Sequence, residues 1–99
     1  MTNINGGALY DGQAHEMDVR YGTDLGVQGF GAGSYKVTGK LTSEMNYTEI
    51  TGVAMGNNFP TATEITDEQI YLYDVSTLDS VTVSDVTGFT KITAVVINK

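Results

Sequence analysis

The chain has 99 residues, 40% of them hydrophobic and 17% charged, and its twelve acids against five bases give a net charge of −7. It carries no cysteine, no tryptophan, one proline (Pro60) and one histidine (His15). Disulfide scaffolds, thiol catalysis, cysteine-ligated metals and any two-histidine site within one chain are thereby excluded. A negative field of this size repels phosphate, so tight binding to a nucleic-acid backbone is not expected.

The length suits a single β domain, 1–99, with one modest core. Met1–Asn5 has no basic stretch leading into an apolar run, so no signal peptide is expected. The longest apolar run, Ala94–Ile97, is far short of the ~20 residues a bilayer span needs. The expected location is the cytoplasm or a particle assembled there. Asn46–Tyr47–Thr48 fits a glycosylation sequon and, without secretion, reads as coincidence.

Threonine is spread along the chain, and long runs of Ala, Leu, Glu and Lys are missing, so the composition predicts mostly β structure. Glu16–Tyr21 alternates Met17, Val19 and Tyr21 against Glu16, Asp18 and Arg20. Gly22–Gly33, with glycines at 22, 26, 29, 31 and 33, reads as a long flexible loop. Ser34–Thr42 is the clearest strand, with Tyr35, Val37 and Leu41 on one face and Lys36, Thr38, Lys40 and Thr42 on the other. Thr42–Ala54 suits either a short helix, by the stripe Met45, Tyr47, Ile50, Val53 and Ala54, or a strand, by its β-branched residues. Gly56–Pro60 ends it.

Thr66–Gln69 has the form of a capping box and predicts at most one helical turn. Ile70–Val75 is apolar on both faces, as an interior strand is, and Ser80–Val86 alternates weakly. Asp85–Gly88 is expected to join the last two strands as a hairpin turn. The last strand, Phe89–Asn98, is apolar on both sides over Ala94–Ile97, which implies cover by the core on one face and by a neighbour or another chain on the other. The expected fold is mainly β: a small antiparallel sandwich or barrel with at most one short helix and a long glycine-rich loop.

Catalytic and ligand-binding patterns are weak. Gly29–Lys36 has Ser34 where a dinucleotide loop needs its third glycine, and Gly39–Lys40 is followed by Leu41 where a phosphate loop needs Ser or Thr. His15 has acids nearby but no nucleophile motif, and is expected at the surface. Asp67, Glu68, Asp74, Asp79 and Asp85 lack the spacing of a calcium loop. The six tyrosines and three phenylalanines fall mostly at inward positions and read as core rather than as a carbohydrate platform. No catalytic residue, cofactor or metal site is expected.

Val27–Ile50, VQGFGAGSYKVTGKLTSEMNYTEI, resembles the tail tube proteins of tailed bacteriophages, in which a glycine-containing loop precedes a strand of the form G-x-G-S-Y-x-V-T-G-x-L. The matching residues are Gly31, Gly33, Ser34, Tyr35, Val37, Thr38, Gly39 and Leu41. The resemblance implies a non-enzymatic virion subunit that stacks as rings, the loop touching adjacent subunits. Small capsid-decorating proteins share the acidic, cysteine-free, Gly/Thr-rich character and form the rival reading. A small carbohydrate- or calcium-binding module stands behind both. The expected subunit-interface residues are Gly26, Gly29, Phe30, Gly31, Gly33, Tyr35, Val37, Leu41, Val95 and Ile97. The expected partners are further copies, in a ring or trimer, and other virion proteins; an acidic lumen would let DNA pass without holding it.

Overall fold

Alternation of apolar and polar side chains is what the backbone of this protein obeys. In the computed structural model, which describes residues 15–56, 60–89 and 91–97, every regular element is a strand. They are β1 (His15–Asp18), β2 (Asp24–Phe30), β3 (Ser34–Lys40), β4 (Thr48–Glu49), β5 (Gly52–Ala54), β6 (Thr61–Ala62), β7 (Glu64–Ile65), β8 (Tyr71–Asp74), β9 (Ser80–Thr87) and β10 (Lys91–Ile97). All pairings are antiparallel. One sheet runs β1-β9-β3-β4, with β7 also on β3, and the other runs β10-β2-β8-β5-β6. We call these the first and second sheet.

Their inner faces build one core. The first sheet contributes Met17, Tyr35, Val37, Val81, Val83 and Val86, and the second contributes Leu25, Val27, Tyr71, Tyr73, Ile92, Ala94 and Val96. This is a small antiparallel β-sandwich, the expected class. Each fully buried Val, Leu or Ile contributes about 1.5–3 kcal/mol of transfer free energy.

The glycine-rich segment differs from expectation. Gly22–Gly33 is not a loop over its length, because β2 occupies Asp24–Phe30 between β10 and β8. Glycine's low strand propensity is outweighed by pairing on both sides and by what its missing side chain admits. Leu25, Val27 and Gly29 face inward, and a Cβ on Gly29 would lie 2.9 Å from two ring atoms of Phe89. Only glycine leaves room for that ring, which packs on Tyr35 with centroids 5.7 Å apart.

Two open readings are resolved and one expectation changes. Thr42–Ala54 resolves into a turn followed by β4 and β5, without a helix, and Thr66–Gln69 forms an Asx turn in which the Gln69 amide donates to Asp67 Oδ1 at 3.1 Å. Asp85–Gly88 is not a hairpin, because β9 and β10 belong to different sheets. Instead the register of β9 against β3 shifts between Ser34 and Lys36, and Asp85 sits at a left-handed φ of 54°. This bulge returns the inward position from Val83 to Val86 and bends β9 before the chain crosses over.

The bulge position strains any residue with a side chain. Asp85→Gly is expected to raise the thermal midpoint by about 4 °C and Asp85→Ala to lower it by about as much, read by circular dichroism melts.

Candidate interaction face

The two outer faces of the sandwich have opposite chemistry. On the first sheet, Lys36, Thr38 and Lys40 of β3 alternate outward beside Thr82 and Ser84 of β9. Lys36 pairs with Glu49 at 3.2 Å. A groove of about 520 Å³ at the end of this sheet is lined by Glu16, Asp18, Arg20, Lys40, Ser43, Asp79 and Ser80. Several of its polar groups are engaged within the chain. Asp18 receives the backbone amide and the guanidinium of Arg20, the shortest contact being 2.6 Å. The Tyr47 hydroxyl donates to Glu16 and lies 3.0 Å from Ser80 Oγ, while Lys40 Nζ stands 4.5 Å from the centre of the Tyr47 ring.

On the second sheet the outer face is apolar. Register places Val95 of β10 beside Gly26 of β2, Gly26 beside Leu72 of β8, and Leu72 beside Val53 of β5, so one row crosses four strands. Phe30, Met55, Ile70 and Ile97 flank it, and Met55, Ile97, Ile70 and Val53 keep 53%, 41%, 39% and 38% of their surface exposed. Gly26 makes the row concave, since it adds no side chain between Val95 and Leu72. A Cβ there would stand 3.6 Å from Leu72 Cδ2, an ordinary contact, so the dip follows from the residue's size alone.

The resulting groove holds about 250 Å³. That is below the ~300–1,000 Å³ of a typical small-molecule site, and it lies open along the sheet. Concave, apolar and rimmed by Gln28 and Lys91, it has the composition of the centre of a protein–protein contact.

The structure divides the residues named as a subunit interface. Gly26, Phe30, Val95 and Ile97 converge on the groove. Gly29, Tyr35 and Val37 lie in the core, facing residues of this chain. Gly31 and Gly33 form the turn between β2 and β3, where the Gly31 amide donates to Glu68 Oε2 at 2.7 Å. Leu41 is exposed just past the other end of β3. Met55, Ile70 and Leu72 also line the groove, outside that set. The two-sided apolar character of Ile70–Val75 signals Leu72, whereas Met55 carries no pattern of its own.

Other candidate positions are used locally. Asp67 holds the Gln69 amide and the Tyr71 hydroxyl, and Asp74 accepts from the Ser76 amide and hydroxyl, which lowers its pKa. Among the described residues no group of three or more acids or histidines could hold a metal ion. No helix there is long and apolar enough to cross a membrane. Burial raises the pKa of the Tyr35 and Tyr73 phenols, and neither hydroxyl makes a well-formed hydrogen bond among the described residues.

No protein-family model matches this sequence, and comparison with curated proteins gives no match either. Two solved structures share the fold. The SPBc2 prophage-derived protein YomS superposes with a TM-score of 0.68 at 19% identity, over 97% of this chain and 83% of that one. The PBSX exported protein XepA superposes with a TM-score of 0.64 at 20% identity, over 95% of this chain but 33% of that one.

The Arg20 contacts hold the Asp18 carboxyl at about 2, against an ordinary 3.8. A depressed carboxylate pKa stabilises the fold above the unfolded value and loses that contribution as pH falls through the folded one. Asp18→Asn is therefore expected to flatten the stability profile between pH 3.8 and about 2, measured by thermal melts across that window.

Proposed function

We propose that this protein is a non-enzymatic structural subunit of a phage-type particle, assembling by burying the apolar outer face of its second sheet against neighbouring subunits. The observation that carries the reading is the row Val95–Gly26–Leu72–Val53, apolar and partly exposed on a protein of net charge −7. Leaving such a face in water is unfavourable by ~25 cal/mol per Å². A neighbour removes that cost, while the negative charge keeps free subunits apart and soluble.

The names of the two proteins sharing the fold, one prophage-derived and one a PBSX exported protein, support the phage setting. Within it, a ring subunit of a tail tube is the leading form and a capsid decoration protein the second. The leading form draws on the resemblance over Val27–Ile50, which spans β2, β3 and β4. Interface residues in this reading are Gly26, Phe30, Val95 and Ile97, joined by Leu72, Met55 and Val53.

Native mass across a concentration series, by light scattering after size exclusion, with electron micrographs of the largest species, tests this. Defined oligomers, rings or tubes are expected, and a monomer at every concentration would refute self-assembly. Gly26→Leu fills the groove from a position where a Cβ makes only ordinary contact, and Val95→Lys charges it; each is expected to weaken association at least tenfold, about 1.4 kcal/mol, with the β circular dichroism unchanged. Deleting Gly26–Gly31 cannot serve, because it removes most of β2.

A further inference from the structure

Sheet edges carry unpaired amides and carbonyls that can accept a strand from another chain, and natural proteins blunt them with shortness, charge, proline or bulges. Among the described residues most edges here are blunted. β1 has four residues including Glu16 and Asp18, and β4, β6 and β7 have two each. β10 is different. It has seven residues, no proline and a single charge at its first position, and its register against β2 runs unbroken from Lys91↔Phe30 to Ile97↔Asp24.

We propose that β10 pairs antiparallel with β10 of a second copy about a two-fold axis at Ala94, joining two five-stranded sheets into one of ten strands. This deepens the reading above and rests on it, since it names the contact through which copies first meet.

The backbone fits. The Val75 amide donates to the Thr23 carbonyl at 3.2 Å, which turns that carbonyl toward β8. Alternation then turns Asp24 toward β10, and with it Ile97 and every second residue of β10 toward β2. The amides and carbonyls of Ile92, Ala94 and Val96 therefore face the edge. A two-fold axis at Ala94 sets Ile92 opposite Val96 of the partner subunit and Ala94 opposite its own copy, so each pair can exchange both hydrogen bonds. A slip of one residue would oppose groups that already face β2.

Side chains fit as well. On the outer face Thr93 falls opposite Val95 of the partner subunit, so the Val95 side chain meets the threonine methyl at the seam. Lys91 falls opposite Ile97 of the partner subunit, whose neighbour on β2 is Asp24. Two strand spacings, ~10 Å between Cα atoms, lie within the combined reach of a lysine and an aspartate. Symmetry gives one such pair at each end of the seam.

The chain has no cysteine, so introduced thiols report only on each other. Thr93→Cys combined with Val95→Cys is expected to give a dimer on a non-reducing gel, with mass spectrometry locating bonds between positions 93 and 95 of different copies. Thr93→Cys alone should cross-link far less, because position 93 stands diagonal to its own copy. Lys91→Asp is expected to weaken dimerisation about five-fold, and Lys91→Asp with Asp24→Lys to restore it. Oligomers that form without the 93–95 bond would overturn this pairing and leave self-assembly standing. A monomer at every concentration would overturn both.

Discussion

The ring of Phe89 is wedged between Gly29 of one sheet and Tyr35 of the other, and the sandwich is organised around that contact. Phe89 lies on the crossing from β9 to β10, so the residue that fills the space between the sheets also belongs to the connection that joins them. Aromatic pairs in this tilted arrangement contribute about 0.5–1.5 kcal/mol beyond the area they bury. The larger effect is geometric. With Gly29 lacking a Cβ and Asp85 bulging β9, the chain turns from one sheet to the other while both keep their inward alternation.

Once the sheets are so placed, their outer faces follow from parity. Inward Leu25 and Val27 force Gly26, Gln28 and Phe30 outward, and inward Ala94 and Val96 force Val95 and Ile97 outward. On the first sheet the same parity sends lysine, threonine and serine to solvent. The first sheet's outer face is polar, and the second's carries the apolar row. A one-residue slip in β10 would exchange buried Val96 for half-buried Val95, and the core holds the register against that.

In the proposed reading, this asymmetry separates the face that meets other subunits from the face that meets water. In the polar groove Asp18 is held by Arg20 and Glu16 by the Tyr47 hydroxyl. The apolar groove is too shallow to enclose a small molecule but continuous along a sheet, which suits the side chains of another subunit.

The sequence by itself determined the class of fold and the inward residues of its long strands. Period-2 patterning in Ser34–Thr42 is a local signal and burial respects it, while Ile70–Val75 and Ala94–Ile97, apolar on both sides in sequence, fall in strands whose burial alternates. The expectation of a neighbour over Ala94–Ile97 concerns the outer face, where the structure places Val95 and Ile97. What the tertiary structure alone decided is which residues stand beside each other. Glycines at 26 and 29 read as a flexible loop because propensity is local, whereas their strand is held by partners at positions 71–74 and 91–97 and by a ring at Phe89. Asp85–Gly88 read as a hairpin because turn chemistry does not state which sheet the next strand joins. Both follow from contacts distant in sequence, and no local pattern encodes those.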